Sequence, residues 1–140
     1  MDRATTDAEL AVKYAMAFVG TQYRWGGDDP MAGFDCSGFV IEVLKGVGYL
    51  PYNGDWRAFE LFEMFREVDN PTIGVLVFWG IGKDQIGHVE LCISDKIAIG
   101  AGGGDRKVMT TQDAIKYNAY VRLRPIKRPE KRLMYFADPF

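Results

Sequence analysis

The sequence has few of the residues that build metal sites and disulfide scaffolds. Its 140 residues contain two cysteines, Cys36 and Cys92, and one histidine, His88. A structural zinc site takes four such ligands, so this set excludes one, and we expect neither a metal nor another cofactor. One disulfide between the two cysteines is compatible with the sequence, but nothing in it indicates an oxidised scaffold.

The sequence also shows no excess of charge and no long apolar run, and its first residues do not have the pattern of a signal peptide. It carries 17 basic and 19 acidic residues, a net charge of −2, which gives no general attraction to nucleic acid. No apolar run approaches the ~18 to 20 residues of a membrane span, so a membrane is not an expected partner either. Residues 1–6 lack the basic and apolar segments of a signal peptide, and we expect synthesis in the cytoplasm without a secretion signal.

The sequence does contain enough apolar residues, 48% with 14% aromatic, for one core. Its length is too short for two ordinary domains, so we predict one domain over 1–140, with a basic, proline-containing tail at 125–140. Thr6-x-x-Glu9 has the form of a capping box and predicts a first helix that ends before Gly20. Asp55 is predicted to cap a later helix with an aromatic stripe.

After Asn70-Pro71 the pattern changes from helical periodicity to short β-type runs. The runs lie close together in sequence, which favours antiparallel pairing, and a short helical turn is predicted at 111–117. Helices followed by such a meander indicate an α+β fold. The predicted strands span residues 74–79, 87–94, 96–101 and 119–124.

The rest of the chain is organised around residues 33–40, where a glycine-containing loop leads into an apolar run of helical period. Cys36 falls on the first turn of that helix, where unpaired N–H groups and the helix dipole favour a thiolate. Asp35 is predicted as the N-cap, and Gly38 is predicted to leave space for a substrate backbone near the sulfur. The alternative is that Cys36 is an ordinary buried residue, as most free cysteines are.

The predicted strand 87–94 alternates, so that His88, Glu90 and Cys92 share the face opposite its main apolar row. A histidine next to a thiol can activate it as a nucleophile, although a lone histidine is more often structural. Cys92 lies about 13 Å from His88 along a strand, beyond the ~3 to 4 Å needed for proton transfer. We therefore interpret Cys92 as a packing residue and Cys36 as the candidate partner of His88.

A two-residue turn at Ser94-Asp95 predicts that His88 pairs with Ala101, give or take one residue. No polar side chain then lies opposite the histidine, because the neighbouring positions are Gly100 and Gly102. The loop before Cys36 carries the large side chains of Tyr23 and Trp25. Such aromatic residues either line a pocket or fix the loop to the core, and the sequence leaves both open.

Four segments of the chain resemble the NlpC family of papain-like cell-wall cysteine peptidases, in matching order and spacing over roughly residues 8–124. The segments are Tyr23-x-Trp25-Gly26-Gly27, Asp35-Cys36-Ser37-Gly38-Phe39-Val40, Gly74-x-Leu76-Val77-Phe78 and Gly87-His88-Val89. The resemblance implies a papain-like α+β fold, in which N-terminal helices pack on a mostly antiparallel sheet and the nucleophile begins a buried helix.

The resemblance also implies roles for individual residues. Cys36 would be the nucleophile and His88 the base, with Tyr23, Asp35 and Ser37 around the amino end of the substrate; Trp25 belongs to the same motif as Tyr23 and is included with them. Members of this family usually orient the histidine with a polar residue on the following strand. This chain has Gly100 there, so we expect the backbone near Gly100, a water or Asp105 to hold the ring.

The implied function is a cysteine endopeptidase acting on peptidoglycan stem peptides, by thiolate attack at the bond between γ-D-glutamate and the diamino acid. Two alternatives stay open: a catalytically weak binding or assembly module, as in a phage tail, and a thiol amidase or acyltransferase on the same fold. Without a signal peptide, the expected route to the wall is release, as with a phage lysin, or delivery by a phage or a larger assembly.

Overall fold

The computed structural model describes residues 6–29, 33–102, 107–128 and 133–140. The helices in these ranges are α1 (Asp7–Met16), α2 (Cys36–Gly46), α3 (Ala58–Met64) and α4 (Thr111–Tyr117). The strands are β1 (Asp28–Asp29), β2 (Gly33–Phe34), β3 (Arg66–Val68), β4 (Leu76–Gly80), β5 (Ile86–Cys92), β6 (Ile97–Gly102), β7 (Tyr120–Pro125) and β8 (Leu133–Asp138). None of the helices in the described ranges is long and apolar enough to cross a membrane.

Strands β3 to β8 form one antiparallel sheet in the order β3-β8-β4-β5-β6-β7. The short strands β1 and β2 pair separately, in the loop that the sequence predicts to be without regular structure. Helices followed by an antiparallel meander confirm the predicted α+β class, and the predicted helical turn at 111–117 is α4.

Polar side chains define where the helices begin. The Thr6 hydroxyl accepts a hydrogen bond from the Glu9 N–H at 3.1 Å, which confirms Thr6 as the N-cap of α1. The predicted cap at Asp55 is wrong, because α3 begins at Ala58 and the Glu60 carboxylate accepts the Arg57 N–H at 2.9 Å. The Glu60 side chain, inside the first turn, thus accepts the Arg57 N–H that the Asp55 side chain was expected to accept.

Helix α2 is the buried helix of the fold and contacts β5 and β6. Phe39, Val40, Val43 and Leu44 of α2 are at most 1% exposed. Burial of each such side chain contributes on the order of 1.5 to 3 kcal/mol to folding, so the helix is held firmly against the sheet. The N-terminus of α2, which carries Cys36, is therefore fixed relative to β5.

The opposite face of the sheet is covered by a second, smaller apolar cluster. Its buried members are Val75, Val77, Trp79, Cys92, Ala98 and Ile126. Cys92 is fully buried there and forms no disulfide, which agrees with its interpretation as a packing residue. Because β5 has apolar neighbours on both faces, any charged side chain along it must find a partner within the protein.

The pairing of β5 with β6 decides what lies beside His88. Leu91 pairs with Ile99 and Cys92 with Ala98, a register that, continued along the strands, sets Gly100 opposite Glu90 and Gly102 opposite His88. This lies within the predicted register, although the connection is longer than the predicted two-residue turn. Its residues 93–96 turn around the Ser94 hydroxyl, which accepts two backbone N–H groups at 3.1 Å.

The C-terminal residues, predicted as a basic tail, include a strand of the sheet. Residues 133–138 form β8, which lies between β3 and β4. An ion pair between Arg66 and Asp138, 3.2 Å long, joins β8 to the edge strand. The sequence gives little warning of this strand, because its residues are only partly buried and follow a run of basic residues.

Gly38 has a different role from the predicted one, because it does not line the space near the sulfur. A Cβ atom at this position would overlap the Gly27 carbonyl oxygen and lie 2.8 Å from Asp35 Oδ1. The glycine therefore allows the loop that carries Gly27 to approach the first turn of α2, where the Asp35 N–H donates to the same carbonyl at 2.9 Å.

We predict that Gly38→Ala lowers the free energy of unfolding by about 2 kcal/mol or more, because the new methyl group meets backbone that cannot move away. Chemical denaturation measures this change. The matched control is Gly87→Ala, where a Cβ has no neighbour within 4 Å, and its effect should stay within about 1 kcal/mol. Equal stability of the two variants would contradict the close approach at Gly38.

Candidate active site

A cleft of about 730 Å³ opens where the N-terminus of α2 meets the beginning of β5. It contains every residue that the sequence and the resemblance select for the catalytic and substrate-binding roles. The predicted residues that line it are Tyr23, Trp25, Asp35, Cys36, Ser37 and His88. Arg57 and Phe59, at the start of α3, also line it, although the sequence did not select them. Asp105 lies outside the described residues.

Cys36 is the first residue of α2 and is partly exposed in the cleft. Its sulfur lies 4.0 Å from the Gly87 carbonyl oxygen of β5, and it raises the pKa of the neighbouring His88. Cys36 and His88 are 52 residues apart in sequence, so the packing of α2 on the sheet brings them together.

His88 lies between two groups that favour its protonated form. Its Nε2 is 2.6 Å from Oε2 of Glu90, and the Cys36 sulfur acts on the same ring electrostatically. Burial alone would lower the pKa of His88, but the sulfur and the Glu90 carboxylate outweigh burial and raise it to about 10. At neutral pH the arrangement therefore favours the imidazolium form of His88.

Glu90 is a buried carboxylate, only 2% exposed, that the sequence analysis did not select as a site residue. Arg128 holds it in a two-point ion pair, with nitrogen to oxygen distances of 2.7 and 3.2 Å. Burial would raise the pKa of Glu90, but His88 and Arg128 lower it to about 2, so the group is ionised throughout the neutral range.

The partner of the histidine ring thus differs from the expected backbone oxygen near Gly100. Gly100 lies opposite Glu90, and a Cβ there would overlap Cγ of Glu90 and lie 2.9 Å from its Cδ. Two features of the sequence pointed to Glu90. The alternation along β5 places Glu90 on the same face as His88, and the residue opposite Glu90 on β6 is a glycine, Gly100. A glutamate on a buried strand needs a partner, and the ring is within its reach.

Asp35 caps α2 at the edge of the cleft. Its Oδ1 accepts the Gly38 N–H at 2.7 Å and the Ser37 hydroxyl at 3.4 Å. Burial raises the pKa of Asp35, and these hydrogen bonds only partly oppose the shift. A cation in the cleft would compensate the buried negative charge.

Tyr23 and Trp25 combine the two roles that the sequence left open. The backbone N–H of Tyr23 donates to Ala119 at 2.8 Å and that of Trp25 to Val108 at 2.7 Å, which fixes the loop. Both side chains also line the cleft: Tyr23 is 4% exposed and Trp25 is 45% exposed. Aromatic surface is thus available to a ligand beside Cys36.

No group of three histidine, cysteine or carboxylate side chains in the described part of the chain is arranged to hold a metal ion. A thiol at the start of a buried helix, next to a histidine on an antiparallel sheet, is the arrangement of a papain-like domain. The chain belongs to the NlpC/P60 family, whose sequence profile matches residues 20–124.

Curated relatives agree with this assignment. The chain is 35% identical over 94 residues to the probable peptidoglycan endopeptidase LytE of Bacillus subtilis, a match that covers 65% of this chain and 26% of LytE. It is 34% identical over 89 residues to the γ-D-glutamyl-L-lysine dipeptidyl-peptidase of the same organism, covering 61% of this chain and 29% of the relative. The chain thus spans less than a third of the length of either relative.

Solved structures share the fold at lower identity. The NlpC/p60 domain of the peptidoglycan hydrolase SagA superposes with a TM-score of 0.72 at 22% identity, covering 94% of this chain and 99% of that domain. RipD of Mycobacterium tuberculosis, a non-catalytic NlpC/p60 domain protein, gives a TM-score of 0.69 at 14% identity, with 96% and 98% covered. The fold therefore occurs with and without catalysis.

We predict that a thiol reagent such as iodoacetamide labels Cys36 at least tenfold faster than Cys92 at neutral pH. Cys36 is exposed in the cleft beside His88, whereas burial raises the pKa of Cys92 to about 12. Mass spectrometry of proteolytic fragments measures the two rates. The variant Cys36→Ser isolates the slow reaction, and equal rates at the two cysteines would contradict the site as described.

Proposed function

We propose that this chain is a cysteine endopeptidase that cleaves peptidoglycan stem peptides at the bond between γ-D-glutamate and the following diamino acid. The observation that carries the proposal is that Cys36 and His88 line one open cleft, where the Cys36 sulfur lies 4.0 Å from the carbonyl oxygen of Gly87, the residue before His88. Membership of the NlpC/P60 family supports the substrate class. The relative named for γ-D-glutamyl-L-lysine peptides supports the choice of bond.

In the proposed mechanism, the Cys36 thiolate attacks the carbonyl carbon of the scissile amide and forms a tetrahedral anion. The positive end of α2 stabilises that anion. His88 then gives its proton to the leaving amine, the C–N bond breaks, and a thioester to Cys36 remains. Water attacks the thioester, His88 takes the water's proton, and the carboxylic acid product leaves as the thiolate returns.

The walls of the cleft support recognition of a free amino terminus. Asp35 is a partly buried carboxylate whose pKa is raised by burial, and Tyr23 and Ser37 line the same cleft. An ammonium group would satisfy the charge of Asp35 while the next residues of a short peptide lie across the Cys36 sulfur. The helix cap and the amine contact are compatible, because a carboxylate accepts several hydrogen bonds.

A site of this kind acts on the cell wall only where it meets peptidoglycan. We propose that the protein reaches its substrate after release from the cell that makes it, or as part of a larger assembly. Neither route changes the chemistry of the cleft.

The proposal predicts that purified peptidoglycan incubated with the protein releases peptide fragments that begin with the diamino acid. Mass spectrometry identifies the new ends. Cys36→Ala should reduce release by about 10³-fold or more, since no other group supplies the nucleophile. Peptidoglycan binding without release would instead indicate a binding module, and release of a different bond would indicate an amidase; either result contradicts the proposal.

A second prediction concerns the amine. A stem tripeptide with a free L-alanine amine should be cleaved with a kcat/KM about 10 to 100 times that of its N-acetylated form, as expected for loss of one hydrogen bond to a charged group. In Asp35→Asn this difference should largely disappear, while the helix cap survives because asparagine caps equally well. An unchanged rate on acetylation in the wild type would contradict amine recognition by Asp35.

A further inference from the structure

We propose that Glu90 is the positioning residue for His88, that Arg128 fixes the Glu90 carboxylate in place, and that Gly100 provides the space that this arrangement needs. The inference rests on the proposed function, since it concerns the base of the same reaction. It assigns the orienting role to the histidine's own strand instead of the following one.

The first argument is the geometry along β5. His88 and Glu90 are two residues apart on one face of the strand, so their Cα atoms are about 7 Å apart. The glutamate side chain is long enough to cover this distance by bending back along the strand, and its Oε2 lies 2.6 Å from His88 Nε2. With Nε2 held by Glu90, Nδ1 is the nitrogen left to exchange a proton with Cys36.

The second argument is the space beside the bent side chain. The Glu90 side chain lies over β6, and Cβ atoms on Gly100 would overlap its Cγ and come within 3.0 Å of its Cβ. Any other residue at Gly100 would therefore push Glu90 away from the ring. The missing side chain on β6, which left His88 without an expected partner, is the feature that admits the partner from β5.

The third argument is the charge of the buried carboxylate. Arg128 is 9% exposed along its side chain and meets both oxygens of Glu90, with its guanidinium carbon 4.3 Å from the centre of the Trp79 ring. Its Nε also donates to the Pro125 carbonyl at 2.9 Å. Five donors in a rigid fork allow this simultaneous contact, which a lysine does not reproduce. Arg128 thus keeps Glu90 ionised and fixed in direction.

Within the described residues, titratable groups from three parts of the fold act on the pair of His88 and Glu90. Cys36 of α2 acts on His88, while Arg128, after β7, and Arg122 of β7 act on Glu90. The two groups that act on the ring itself are Cys36 and Glu90. Removal of the Glu90 charge should therefore change the protonation of His88 directly.

The test uses the titration of His88 by NMR, which needs no assignment because the chain has a single histidine. In Glu90→Gln the midpoint should fall by about one pH unit or more, since an adjacent opposite charge raises it in the wild type. In the same variant kcat should fall about 100-fold or more with little change in KM, because the base loses its orientation. The surface variant Arg66→Met is the control and should change neither.

Glu90→Gln leaves the Arg128 charge buried without its partner, so a second variant guards against loss of the fold. Glu90→Gln with Arg128→Met removes both charges and avoids an unpaired one. It should be as stable as the wild type or nearly so, yet show the same lowered His88 midpoint and low kcat. A purely structural role for the ion pair predicts normal titration and kcat in this folded double variant, and that result would overturn the inference.

The exchange of the two residues, Glu90→Gly with Gly100→Glu, tests the idea from the opposite side. A glutamate at position 100 starts from the space that the Glu90 side chain occupied. Relative to Glu90→Gln, kcat should therefore rise at least tenfold, and the midpoint of the His88 titration should return in part toward the wild-type value. Failure of the folded exchange to move either quantity would argue against the proposal. If the wild type cleaves no stem peptide, the proposed function fails, and the titration alone decides the role of Glu90.

Discussion

The structure of the site depends on one buried negative charge. Glu90 lies inside the sheet, where an isolated carboxylate would be strongly unfavourable, and it is accommodated by a histidine on one side and an arginine on the other. The register of β5 and β6, the glycine opposite Glu90 and the segment after β7 are all constrained by that charge. The charge in turn sets the protonation of the ring that faces Cys36.

The elements that could be predicted from the sequence are those with strong local signals. The capping box at Thr6 and the apolar period after Cys36 define α1 and α2, and the β-type runs after Pro71 define β4 to β7. The strands β3 and β8 were not predicted, because short, partly exposed strands lack a clear alternation. The cap of α3 was misplaced, since a residue within the first turn competes with the preceding aspartate.

The candidate site shows the same division between local and distant information. Motif resemblance selected six residues that the structure places in one cleft: Tyr23, Trp25, Asp35, Cys36, Ser37 and His88. Glu90 was visible on the correct face of its strand, but its significance depends on Arg128, 38 residues later, and on the missing side chain at Gly100. Contacts of that separation have no periodicity by which a sequence reveals them.

The position of β8 has a consequence for how the protein is made. Strand β4 pairs with β5 on one side, but its other neighbour is β8, which leaves the ribosome after all the other strands of this sheet. Until residues 133–138 emerge, β4 presents an unpaired edge that can recruit other chains. Arg128 is also translated after Cys36, His88 and Glu90. A nascent chain therefore contains the thiol and the imidazole before it contains the arginine that pairs with the Glu90 carboxylate. The segments that follow β7 thus complete both the sheet and the electrostatics of the cleft.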